Sequence, residues 1–143
     1  MTPGGPLRLL FVCVGNSCRS QMAEGLARAM GGDRVVAASA GTMAADRVAP
    51  KAVQVMAELG VDISGHEPRA LTEEMLDGAD RVLVMGCDAR KYCPVVWLQD
   101  ADDWDLEDPM GQGVEKYREV RDLIRRRMLD LFEEEGIEPL PLG

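Results

Sequence analysis

Cys13 and Arg19 bracket a short run, Cys13-Val14-Gly15-Asn16-Ser17-Cys18-Arg19, and Ser20 follows at once. A thiolate is a strong nucleophile, and an arginine six positions away carries a planar fork that matches two oxygens of a tetrahedral oxyanion. Between them, Gly15 and Asn16 tolerate the positive φ that a tight loop needs. Val14, Gly15, Asn16, Ser17, Cys18 and Arg19 therefore read as an oxyanion cradle with backbone N–H groups turned inward at a helix N-terminus, and Cys13 as the group that attacks what the cradle holds. The helix dipole, the loop N–H groups, Arg19 and the Ser20 hydroxyl all favour the thiolate form of Cys13.

Three further positions are candidates for chemistry. Asp108-Pro109 lies in an acidic loop over 100–113, and the proline biases Asp108 toward an extended backbone that can hold its carboxyl over the cradle; alone, the pair is equally an ordinary turn. Cys87 follows the apolar run Val82-Leu83-Val84-Met85 and Gly86, at the carboxyl end of a predicted strand, and Cys93 lies beyond it with five residues between. The polar segment Asp88-Ala89-Arg90-Lys91-Tyr92 between them carries two cations able to favour neighbouring thiolates. Cys18 reads as a structural thiol and His66 as a structural histidine. A zinc site is disfavoured, because Cys13/Cys18 and Cys87/Cys93 have gaps of four and five residues where structural sites use two to four.

These residues need elements to place them. Leu7 to Val12 is uniformly apolar apart from Arg8, as suits a central parallel strand, and Ser20 to Met30 has helical spacing ended by Gly31-Gly32. The pattern predicts a second strand over Arg34 to Ala38 with a turn at Ser39-Thr42, and a helix from Pro50 through Leu59 to a Gly60 cap. Val61 to His66 reads as a loop, Thr72 as a helix start, Arg81 to Met85 as a third strand and Val95 to Leu98 as a fourth. The last helix, from Val114, places Val114, Tyr117, Val120, Ile124, Met128 and Leu131 on one face, with Arg125-Arg126-Arg127 solvated and Glu133-Glu134-Glu135 fraying at the unfavourable end of the dipole. Alternating strands and helices imply an α/β fold with a parallel sheet and helices on both faces, and ligands in such folds sit beyond the carboxyl ends of the strands, where Cys13 lies.

At 143 residues, with 46% hydrophobic and 29% charged residues, the chain reads as one globular domain, 1–143. Its 25 acidic and 16 basic residues give a net charge of −9, which argues against nucleic acid as a partner and means that any anion is captured by a local site. No leader or membrane span is evident, so a cytoplasmic, reducing setting is expected, in which free cysteines point to chemistry.

The stretch from Cys13 to Arg19, continued by Ser20-Gln21-Met22-Ala23-Glu24, resembles the signature of the low-molecular-weight protein tyrosine phosphatase superfamily, and most of all its thioredoxin-coupled arsenate reductases. The resemblance runs from Leu7 to about Met128. It implies a three-layer sandwich with a four-stranded parallel sheet, no cofactor, and Cys13, Arg19, Ser20 and Asp108 as catalytic residues with Asp108 the general acid. It also implies a cascade: Cys13 attacks arsenic, Cys87 attacks Cys13 and expels arsenite, and Cys93 attacks Cys87 to leave a disulfide that thioredoxin reduces. Some relatives space the last two cysteines by six residues, not five. In some relatives a monovalent cation sits at positions matching Asn16, Glu24, Ser39 and Asp62. A monomer is expected. Met110-Gly111-Gln112-Gly113 stands where tyrosine-specific phosphatases of this group carry an aromatic wall, which favours a small inorganic substrate. Two alternatives remain open: a phosphotyrosine phosphatase or other phosphomonoesterase acting through a Cys13 phosphoenzyme, and a non-catalytic oxyanion or redox sensor switched by Cys87 and Cys93.

Overall fold

The structure is a computed structural model that describes residues 5–86 and 101–142. Cys87, Cys93, the 88–92 segment and the expected strand Val95–Leu98 lie outside the described residues.

Four parallel strands form one sheet: β1 (Leu7–Cys13), β2 (Val35–Gly41), β3 (Arg81–Val84) and β4 (Asp102–Asp103), in the order β2-β1-β3-β4. The central strand β1 is buried at every position except Arg8. Its side chains divide with the two-residue period of a strand. Leu7, Leu9, Phe11 and Cys13 face one core with α1 (Arg19–Gly31), α2 (Pro50–Ala57) and α4 (Val114–Glu134), whereas Leu10 and Val12 face a smaller one. That second face is covered by Leu71, Met75, Leu76 and Ala79 around α3 (Glu73–Asp77), whose Thr72 accepts the N–H of Met75 at 3.2 Å as an N-cap. The three layers and the parallel sheet match the expected fold class.

Several boundaries differ from the sequence reading. β2 runs three residues past Ala38, because Ser39, Ala40 and Gly41 continue to pair with Phe11, Val12 and Cys13. α2 stops at Ala57, and Glu58 to Gly60 complete the descent as turns. The fourth described strand is the exposed pair Asp102–Asp103, set beside Leu83 and Val84 by register and not by any apolar pattern. Where fraying was expected at Glu133–Glu135, α4 is helical through Glu134, and Arg81 joins Glu135 (2.9 Å), Glu134 (3.7 Å) and Asp102 (2.7 Å) across the sheet edge. No helix among the described residues is long and apolar enough to cross a membrane.

Candidate active site

The turn from β1 to α1 is shaped by where its carbonyl groups go. Thr42 N donates to Cys13 O (3.1 Å), Met43 N to Val14 O (2.8 Å), Ala45 N to Gly15 O (2.8 Å) and Ala49 N to Ser17 O (3.0 Å), while Gln21 Nε2 donates to Asn16 O (3.1 Å). The segment 42–49 thus wraps the outside of the loop and takes up its acceptors. Because C=O and N–H point oppositely across a trans peptide, holding the carbonyls outward turns the N–H groups toward the concave side. There they meet the N-terminus of α1, whose dipole adds to the same field.

Asn16 is the keystone of this turn. It alone in the loop has a left-handed backbone (φ 51), so the positive φ falls on Asn16 and not on Gly15. Its side chain is fully buried, and its Oδ1 accepts from Gln21 Nε2 (3.1 Å) and from Arg69 N (2.9 Å). Two donors on Oδ1 fix the amide orientation, so Nδ2 must be the group that donates to Ser20 Oγ at 2.7 Å. With its lone pair so engaged, the Ser20 hydroxyl has its proton free for Cys13 Sγ, 2.8 Å away. Asn16 N donates to the same sulfur at 3.2 Å. Cys13 Sγ therefore sits under two donors whose directions are set by buried bonds.

The Ser20 hydroxyl thus serves the sulfur and not the start of the helix. α1 begins one residue earlier, with Cys18 at the N-cap and no side-chain cap bond, and the Ser20 hydroxyl turns to the sulfur. Cys18 is buried behind the loop with its Sγ 3.5 Å from the Tyr117 hydroxyl, and burial pushes its thiol up to about 11. Burial raises the Tyr117 phenol as well. Both groups are neutral at physiological pH.

Arg19 is 2% exposed. Its Nη1 donates to Leu106 O at 3.0 Å and its Nη2 lies 3.7 Å from Asp108 Oδ2. The segment that brings these partners hangs from β3: Trp104 N donates to Val84 O (2.8 Å) and Leu106 N to Met85 O (2.7 Å), with Asp105 in a left-handed turn (φ 50) between them. Met110 N holds Asp108 Oδ1 at 3.0 Å, so one carboxylate oxygen closes the Asp-Pro turn while the other faces Arg19. Cys13, Arg19, Ser20 and Asp108 are thus gathered at the carboxyl edge of the sheet. Beside Ser17 opens a groove of about 390 Å³ whose lining includes Ala45, Arg47, Lys51, Met110 and Tyr117.

The structure also brings in residues that sequence reading left without a role. Gly41 pairs with Cys13, and a Cβ there would stand 2.6 Å from Val14 O and 2.9 Å from Asn16 N. Gln21 and the backbone of Arg69 clamp Asn16. A glycine closing an apolar strand was the available signal for Gly41; the Arg69 contact is long-range backbone bonding and had none.

The four positions suggested for a monovalent cation do not fit one. Glu24 Oε1 accepts from Ser39 Oγ (2.7 Å) and its Oε2 pairs with Arg28 Nη2 (3.1 Å). Both acceptor contacts of Asn16 Oδ1 are with N–H donors, and Asp62 is exposed with its Oδ1 held by Ser64 N (2.9 Å).

Residues 8–138 match the family model described as low molecular weight phosphotyrosine protein phosphatase. The chain is 38% identical over 127 residues to a glutaredoxin arsenate reductase of Synechocystis, covering 87% of this chain and 95% of that one. It superposes on an arsenate reductase in the phosphate binding state with a TM-score of 0.80 at 37% identity, covering 90% and 98% of the two chains. A YwlE arginine phosphatase from Geobacillus stearothermophilus gives 0.79 at 30% identity, over 92% and 94%. By the family match over residues 8–138, the chain belongs to the low molecular weight phosphotyrosine protein phosphatase family.

Proposed function

We propose that this protein reduces arsenate to arsenite through Cys13, Cys87 and Cys93. The observation that carries the reading is the placement of Cys13 Sγ under the Ser20 and Asn16 donors in a loop whose carbonyls are tied outward, with Arg19 and Asp108 adjoining. The inward N–H groups and Arg19 hold three oxygens of the oxyanion. The Cys13 thiolate attacks arsenic(V) while Asp108 gives its proton to the departing oxygen, which leaves as water. Cys87 then attacks the Cys13 sulfur: the S–As bond breaks, its electron pair goes to arsenic, arsenite leaves, and a Cys13–Cys87 disulfide remains. Cys93 attacks Cys87, freeing Cys13, and the Cys87–Cys93 disulfide is reduced by an external dithiol.

Arsenate reductases among the relatives support this choice of substrate. Thioredoxin is the donor this reading favours, because a third, resolving cysteine is superfluous if a small thiol serves. The name of the Synechocystis relative makes glutaredoxin the competing donor. The test measures arsenite formed and NADPH consumed by the purified protein, with thioredoxin and thioredoxin reductase in one series and with glutathione, glutaredoxin and glutathione reductase in the other. Arsenite in neither series sinks the reading, and arsenite only with glutaredoxin reassigns the donor.

A second reading, phosphomonoester hydrolysis through a Cys13 phosphoenzyme, draws on the groove beside Ser17, which is much larger than a tetrahedral oxyanion and has an apolar side formed by Ala45, Met110 and Tyr117. Efficient hydrolysis of aryl phosphates without arsenite formation would select it.

A further inference from the structure

The charge that balances Glu24 is covalently part of the chain. Glu24 projects from α1 and is 5% exposed, so a carboxylate at this position needs a partner cation. Arg28, one turn further along the same helix, supplies it: Nη2 lies 3.1 Å from Glu24 Oε2, and Nε and Nη2 donate to Ala37 O at 3.3 and 3.1 Å. The guanidinium is therefore seated on one carboxylate oxygen and one strand carbonyl, the hard oxygen atoms that a potassium or sodium ion would need as ligands. The remaining Glu24 oxygen holds Ser39.

This pair stands at the outer end of the bonds that reach the nucleophile. Glu24 Oε2 is 3.6 Å from His66 Nδ1, and the same nitrogen is 2.9 Å from Gln21 Oε1. Gln21 Nε2 donates to both oxygens of Asn16, so its Oε1 must accept, and His66 must carry its proton on Nδ1. From Asn16 the sequence of donors continues through Ser20 to Cys13. The Glu24–Arg28 pair thus lies beside the chain that orients Ser20, with Glu24 Oε2 facing His66.

We propose that Arg28 takes the place of a monovalent cation in this protein: its guanidinium neutralises the buried Glu24 beside the His66–Gln21–Asn16 chain, so that folding stability and oxyanion turnover are independent of potassium. Arg28 acts as a positioning residue, through Glu24, and touches no reacting atom.

The test uses the full chain and its Arg28→Ala and Arg28→Lys variants in potassium chloride, lithium chloride or tetramethylammonium chloride at equal ionic strength. The thermal unfolding midpoint is the first readout and does not depend on which oxyanion chemistry the protein performs; turnover in the same salts is the second. The wild type should unfold at the same temperature in all three salts. Arg28→Ala should lose about 3–6 °C in tetramethylammonium chloride. Potassium should restore at least half of that loss by binding where the guanidinium was, and lithium should not. Arg28→Lys should keep a midpoint independent of salt, as a second point charge on the same stem. The inference is overturned if potassium selectively stabilises the wild type, if Arg28→Ala unfolds like the wild type, or if its loss is the same in all three salts.

Discussion

Gly41 and Val14 touch where the sheet meets the oxyanion loop: a Cβ on Gly41 would lie 2.6 Å from the Val14 carbonyl oxygen and 3.0 Å from Asn16 Cβ. Both neighbours belong to the loop that carries Cys13, and the Val14 oxygen is already held by Met43 N. Nothing at this contact is a flexible side-chain end, so any relief must come from backbone movement.

Gly41→Ala should therefore displace the loop itself. An overpacked contact of this kind costs about 1–3 kcal/mol. The expected result is a lower unfolding midpoint together with weakened oxyanion binding, read as loss of protection by phosphate against alkylation of Cys13. Unchanged protection and an unchanged midpoint would show that the strand end can yield.

Asp108→Asn keeps the turn, since an amide oxygen can still accept from Met110 N, but it removes the ionisable proton carrier beside Arg19. Turnover should fall by roughly 10²–10⁴-fold with little change in oxyanion affinity, the signature of a lost general acid. Equal losses in affinity and rate would assign Asp108 a role in shaping the loop only.

Acid stability has a specific origin in the contact between α2 and α4. Glu58 accepts from Arg118 Nη2 and Arg121 Nη1, each at 2.7 Å, and hydrogen bonds from Arg118 first and Arg121 second hold its carboxyl at about 2, below its usual 4.5. A depressed carboxylate contributes its stabilisation above the unfolded value and loses it as pH falls through the folded one. The difference in unfolding midpoint between the wild type and Glu58→Gln should therefore be constant above pH 5 and shrink from about pH 4.5 to 2. A difference that persists at pH 2 would place its origin in packing.

What could be read in the sequence follows the range of the interactions involved. β1, α1 and the cradle between them are written in contiguous residues, and Asp108 is marked by the proline after it, so these were legible. Ser39–Gly41 were misread as a turn because their strand character comes from pairing with Phe11–Cys13, far away in sequence. Asp102–Asp103 carry no strand propensity at all and owe their pairing to Leu83 and Val84. α4 persists to Glu134, against a local argument from the helix dipole, where Arg81, more than fifty residues earlier, pairs with Glu134 and Glu135. For the suggested cation positions, the matching oxygens were visible one by one, whereas the pairing of Glu24 with Arg28 was not.

The sharpest separation of reductase from phosphatase comes from two thiols in the 87–93 stretch. On the phosphatase reading, phosphate ester hydrolysis uses Cys13, Arg19 and Asp108; among the described residues Cys13 is oriented by Ser20 and Asn16, and Arg19 lies against Asp108. Cys87→Ser should therefore retain any aryl phosphate hydrolysis and lose arsenate turnover, because no thiol remains to displace arsenite from Cys13. Cys93→Ser should differ from both: one arsenite is released per enzyme, after which turnover halts at a Cys13–Cys87 disulfide that the protein reductant reaches poorly. Arsenite counted per enzyme in a single-turnover assay, beside aryl phosphate hydrolysis by the same preparations, distinguishes the cases. Multiple turnovers by Cys87→Ser would refute the cascade. If no variant nor the wild type forms arsenite or hydrolyses aryl phosphate, yet a Cys87–Cys93 disulfide forms readily, the chain is better described as a redox sensor.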